Sequence, residues 1–239
     1  MDGFSYSNIF ETKGIEYLAI LAFFAILIPF WIVLNKKAKT KERVRKILGT
    51  LSPGILRIPQ GLFFSKNHTW THLERTGIAK VGLDDLLLHV TGEVKFISQA
   101  QPGDIITKGG LLAEIEHNGK HLSILSPISG RVETINPLLA GEAEALNEDP
   151  FRKGWICQVK PSDWIRETKS YFLAEEATSW TGMELVRFKD FLVNAAGKNS
   201  IETAGIILQD GGELRDHTLS DLPDELWKDF QSNFLNKTD

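Results

Sequence analysis

The chain has 239 residues, with 27 Lys and Arg against 31 Asp and Glu and a formal net charge of -4. This mild acidity argues against a polyanionic partner such as nucleic acid, and 42% hydrophobic with 24% charged residues is ordinary for a globular protein. A single cysteine excludes an internal disulfide. No internal repeat, low-complexity tract, phosphate loop or nucleophile elbow is present.

Residues 1–16 read as a short N-terminus outside the cell, because Asp2, Glu11 and Glu16 face only Lys13. Tyr17 to Leu34 is free of charge. As a helix it reaches about 27 Å, near the ~30 Å of bilayer hydrocarbon, so a single transmembrane helix is expected over residues 17–34. Pro29 is tolerable there, and Tyr17 and Trp31 suit the interfaces. The run has no basic flank before it and no small-residue cleavage site after it, which disfavours a signal peptide. Lys36, Lys37, Lys39, Lys41, Arg43, Arg45 and Lys46 follow, so the positive-inside rule predicts a single-pass protein with later residues in the cytoplasm. Residues 35–61 are then a basic juxtamembrane linker that can touch anionic lipid headgroups. Within it a short helix is expected over 39–51, stopped by Ser52-Pro53-Gly54.

Residues 62–164 change character. Short runs rich in Ile and Val, broken by Gly, Pro and Asn, predict a β domain. Asn118-Gly119 predicts a two-residue type I′ hairpin, since both central positions need positive φ. Gly130 is expected in a further tight turn. Trp155 to Val159 alternates as a strand, with Cys157 a small buried hydrophobe.

Residues 165–239 predict a small α+β extension. A helix is expected from Ser162 to Leu173. Thr181 and Glu184 form a capping box that opens a second, ending near Gly197. Ala204 to Leu208 reads as a strand and Asp210-Gly211-Gly212 as a turn. Pro223 begins a last helix bearing Leu226, Trp227, Phe230, Phe234 and Leu235. Asp210, Glu213, Asp216 and His217 invite a metal or catalytic reading, but without ligand spacing a turn explains them better. His68 with His72, and His117 with His121, read as surface polarity rather than as ligands. No catalytic or metal-binding residue is assigned.

One stretch carries more information. Glu116-His117-Asn118-Gly119-Lys120 precedes the strand from His121 to Leu125 and then Ser126-Pro127-Ile128-Ser129-Gly130. It resembles the lipoyl hairpin of the glycine cleavage system H-protein family, where a Glu-Ser-Val-Lys-Ala run precedes a strand and a Pro-x-Ser-Gly turn. Phe64 to Trp70, Ile78 to Leu86, Pro102-Gly103-Asp104, Asn147 to Phe151 and Gly154 to Pro161 match further motifs of that family in order. The resemblance covers about 100 residues of the β domain and neither end of the chain. It implies a mainly β fold, a barrel-sandwich hybrid, and a non-enzymatic protein that carries a lipoyl group between partner enzymes. Counted back from Pro127, however, Gly119 stands where the family has its carrier lysine, and Lys120 comes one place late. A one-residue slip along a strand turns a side chain to the other face. The expectation is therefore no cofactor. The chain would be a docking or assembly subunit beside other subunits of a membrane complex, such as an electron-transfer complex. The alternative is a membrane-tethered carrier with its lipoyl group on Lys120.

Overall fold

The computed structural model describes residues 17–31, 49–141, 144–198, 208–209 and 213–236. Residues 1–48 and 49–239 are separate compact units. In the first, residues 17–31 form a helix, α1, with exposed apolar side chains such as Leu18, Phe24 and Trp31. Fifteen residues rise only about 22 Å, against the ~30 Å needed to span hydrocarbon. Among the described residues no helix is long and apolar enough to cross a membrane. The transmembrane helix expected over 17–34 is thus corrected. The basic residues 36–46 and most of the helix expected over 39–51 lie outside the described residues. Thr50 and Leu51 are a strand rather than a helix end.

The second unit is built on two antiparallel sheets. The larger contains β2 (Phe63–Phe64), β3 (Thr69–Leu73), β4 (Ala79–Leu83), β6 (Ile105–Ile106), β9 (Gly130–Ile135) and β10 (Trp155–Pro161), in the order β2-β3-β4-β10-β9-β6. The smaller contains β5 (Lys95–Ser98), β7 (Leu111–His117) and β8 (Lys120–Leu125), with β7 central. Alternation sends Ala79, Val81, Ile115, Leu122, Ile124, Val132 and Val159 into one core. This is the β-sandwich expected over 62–164. Helix α2 (Asp85–Thr91) opens on Asp84, whose Oδ1 accepts the Leu87 N–H at 2.8 Å. The short α3 (Ala145–Glu148) packs on α2.

Gly130 is not in a tight turn. It pairs with Pro161 in the β9–β10 ladder, and a Cβ there would lie 2.2 Å from the Lys160 carbonyl oxygen. Cys157 is buried as expected, and burial pushes its thiol up to about 12.

After β10 the expected helix from Ser162 shrinks to α4 (Trp164–Thr168). Helix α5 then runs over Ala174–Lys198, starting seven residues before the capping box that was to open it. Thr181 lies inside, its hydroxyl donating to the Ala177 carbonyl at 2.8 Å. The strand expected over 204–208 and the turn at 210–212 fall largely outside the described residues. β11 (Leu208–Gln209) and β12 (Glu213–Arg215) join β1 (Thr50–Leu51) in a small sheet of order β1-β12-β11. Helix α6 (Asp224–Phe230) follows Pro223 and passes into a π-turn over Gln231–Leu235. Its apolar residues Leu226, Trp227, Phe230 and Phe234 belong to the same buried cluster as the sandwich core.

Candidate functional site

The hairpin between β7 and β8 is the place to look for chemistry. His117 pairs with Lys120, and the turn between them has positive φ at both residues, 50° at Asn118 and 80° at Gly119. Turn chemistry alone dictates this geometry. Glu116 Oε1 accepts the Gly119 N–H at 2.9 Å, and that bond, ahead of Lys95, holds its carboxyl below the usual range. A Cβ at Gly119 would meet no atom within 4 Å, so the tip stands clear of its surroundings.

The side of the hairpin is covered. Lys120 Nζ donates to the Ser220 carbonyl at 2.9 Å and the Leu222 carbonyl at 2.6 Å, and lies 5.6 Å from the centre of the Trp227 ring. His117 stacks on Trp227 at 6.1 Å with an interplanar angle of 10°, while its Nδ1 donates to the Glu93 carbonyl. Further along β8, Gln231 grips the Ser123 main chain. Lys120 is the first residue of β8, as its place after the turn implies, but the extension intercepts its ammonium group before it can stand free.

Two histidines fasten the extension to the sandwich. His68, read from sequence as surface polarity, is only 1% exposed. Its Nδ1 donates to Asp84 Oδ2 at 2.8 Å and its Nε2 forms an ion pair with Glu184 of α5 at 3.4 Å. The ring lies between Trp180 and Phe234, with centroids at 5.3 and 5.4 Å. Burial alone would pull this imidazole down. The charge and hydrogen bond of Asp84, then the Glu184 carboxylate, more than reverse that and hold it up at about 9. At the other end of α2, His89 Nδ1 donates to Asp216 at 2.8 Å and its Nε2 faces Asp85 at 3.5 Å. Burial opposes its charge too, and Asp216 and Asp85 hold it up at about 9. Each imidazolium thus joins a carboxylate of the sandwich to one of the extension. Asp84 and Asp85 already sat in a matched motif, but nothing local in sequence links them to Glu184 or Asp216.

Of the other residues weighed from sequence, His72 is exposed and its Nδ1 lies 3.2 Å from the Gly61 carbonyl. His121 is exposed beside Glu114. Asp216 is spent on His89, Asp210 lies outside the described residues, and no group of three or more possible metal ligands occurs among the described residues.

The family model for the glycine cleavage H-protein matches residues 62–182. The chain belongs to that family. It is 31% identical over 116 residues to a probable glycine cleavage system H protein of Pyrococcus furiosus, covering 48% of this chain and 86% of that protein. It is 32% identical over 125 residues to the glycine cleavage system H protein of Magnetococcus marinus, covering 52% and 88%. A crystal structure of the H protein from Mycobacterium marinum aligns over 52% of this chain and 99% of its own, at 21% identity and a TM-score of 0.46.

Membership in the H-protein family raises the question of a lipoyl group, which is attached through an amide to a lysine nitrogen. Gly119 offers no side-chain nitrogen. At Lys120 an acylated nitrogen would lose its charge and keep one N–H, leaving one of the carbonyls of Ser220 and Leu222 without a donor. The arm would also have to enter where the extension is packed. The residues present do not fit the group.

Proposed function

We propose that this H-family chain carries no lipoyl group and works as a non-enzymatic docking or assembly subunit. The observation that carries this reading is the placement of the Lys120 ammonium between the Ser220 and Leu222 carbonyls, against Trp227. A carrier lysine must move its arm through solvent between active sites. This one is spent on holding the extension in place. Resemblance to the family hairpin supports the reading from the other side, since it sets Gly119 at the carrier position. What remains of the family's repertoire is recognition by partner proteins, here of subunits in a larger complex.

The test is intact-mass measurement of the native protein, followed by incubation of the purified chain with lipoate–protein ligase, lipoate and ATP. No adduct should appear in either sample, and Lys120→Arg should assemble normally. A lipoyl adduct on the peptide containing Lys120, with loss of function in Lys120→Arg, would overturn the reading in favour of a carrier.

A further inference from the structure

Helix α5 has two apolar sides. Trp180, Leu185, Phe188 and Leu192 are buried against the protein. Met183, Val186 and Val193 face outward and are 62%, 57% and 55% exposed. With Asp190 these outer residues occupy successive a, d, a and d positions of a heptad, the seam by which one helix packs along another. This stripe begins at residue 183, immediately past the last residue of the family match. It is therefore a surface that the extension adds to the H-protein fold.

Asp190 also opens into a groove of about 470 Å³ between α5 and the C-terminal turn, whose walls include Phe191, Asn194, Asp229, Asn233 and Phe234. Asp190 has no hydrogen-bond or ion-pair partner among the described residues. Among the described residues the Asp229 carboxylate accepts only the Asn233 side-chain amide, at 3.0 Å. The one cation in the groove wall among the described residues is Arg187, which is spent on Glu184 and the Phe234 carbonyl. Its guanidinium lies 3.8 Å from the centre of the Phe234 ring, so the aromatic wall already favours a positive charge. The groove thus offers two carboxylates and an aromatic face with no free cation lining it among the described residues.

These features select the occupant. A second copy pairing through α5 would set Asp190 against Asp190 if parallel, or against Val186 if antiparallel about the stripe's centre. Either arrangement sets the Asp190 carboxylate at a seam position against another carboxylate or a valine, neither of which answers its charge, and that is costly. We propose that this face docks an α-helix of a partner protein whose apolar seam is interrupted by one Lys or Arg, the cation entering the groove beside Asp190 and Asp229. The apolar residues supply contact area, and the buried cation supplies specificity. This inference deepens the docking reading above and rests on it.

The experiment uses the full chain and two synthetic three-heptad helical peptides with Leu at the a and d positions. The peptides are identical except for Arg or Glu at the central a position, and binding is followed by fluorescence anisotropy. The Arg peptide should bind roughly tenfold more tightly than the Glu peptide. Asp190→Lys should invert that order, and Val186→Asp should abolish binding of both while the circular dichroism spectrum stays unchanged. Equal binding of the two peptides, no binding, or an order unmoved by Asp190→Lys would overturn the proposal. So would self-association of the full chain that Val186→Asp removes, which would assign the face to a second copy. A failure here leaves docking to other surfaces, whereas a lipoyl adduct on Lys120 would sink the docking reading itself.

Discussion

The side-chain amide of Gln231 mimics a neighbouring strand on Ser123: its Oε1 lies 2.6 Å from the Ser123 nitrogen and its Nε2 3.3 Å from the Ser123 carbonyl oxygen. β8 is an edge strand, and an edge leaves backbone donors and acceptors open to pairing with other chains. One side chain from the extension closes that edge at its middle.

Gln231→Ala should therefore destabilise the protein by about 1 kcal/mol, the usual net worth of a hydrogen bond, since both groups are half-buried. The Ser123 amide should exchange with deuterium markedly faster than the amide of Leu122. Urea denaturation and hydrogen exchange read the two effects, and an unchanged Ser123 exchange rate would refute the role given to Gln231.

Stability should fall as pH rises from neutrality. His68 and His89 are both held at about 9 in the folded protein, above the ~6.5 of an unfolded histidine. Their stabilising contribution is complete below about pH 6.5, declines above it, and is gone once the pH has passed about 9. For fully buried His68 the shift corresponds to roughly 3 kcal/mol. Melting temperatures recorded from pH 6 to 10 should drop across this window, and His68→Gln should flatten part of the drop. A profile flat across the window would contradict the assignment.

The acidic side behaves oppositely. His89 and Arg57 hold Asp85 below the usual carboxylate range against burial, and His68 and Arg187 do the same for Glu184. Their contribution is present above the unfolded carboxylate values and is lost as the pH falls through the depressed ones. The protein should thus be most stable between about pH 5 and 6.5, which a full pH series of urea midpoints would locate.

Two glycines should respond differently to substitution. Gly130→Ala places a Cβ 2.8 Å from Val159 Cγ1 and closer still to the Lys160 carbonyl, so it should cost more than about 2 kcal/mol or prevent folding. Gly119→Ala meets nothing and only strains a φ of 80°, so about 1 kcal/mol is expected. Comparing their urea midpoints checks the contrast; equal losses would mean that β9 and β10 are not so closely apposed.

Gly119→Lys places a lysine at a tip with open space around it. Incubated with lipoate–protein ligase, this variant should gain a lipoyl mass adduct that the wild-type chain does not. If both stay unmodified, the surrounding Glu-His-Asn-Gly-Lys sequence blocks the ligase as well as the missing lysine.

Much of this was legible before any coordinates, wherever the cause is local. The positive φ demanded by Asn118-Gly119 fixed the hairpin turn. Alternating apolar residues marked β8 and β10, and the spacing of Leu226, Trp227, Phe230 and Phe234 marked the last helix. Each of these follows from a few neighbouring residues and the geometry of one turn, strand or helix. The membrane span was not upheld because an uncharged run is a permissive signal, and among the described residues no helix is long and apolar enough to cross. The start of α5 was missed because Thr181 and Glu184 satisfy a capping pattern while serving other partners, the Ala177 carbonyl and His68.

The sequence alone determined the sandwich, its hairpin and the glycine at the tip. Only the tertiary structure decided where the hairpin's lysine lies, because Lys120 meets Ser220 and Leu222 across about one hundred residues of chain, and His68 meets Glu184 across a similar distance. No local propensity encodes such pairs. They exist because burying the apolar side of the C-terminal helix brings its preceding carbonyls over the edge of β8, and the nearest available donor there is the lysine.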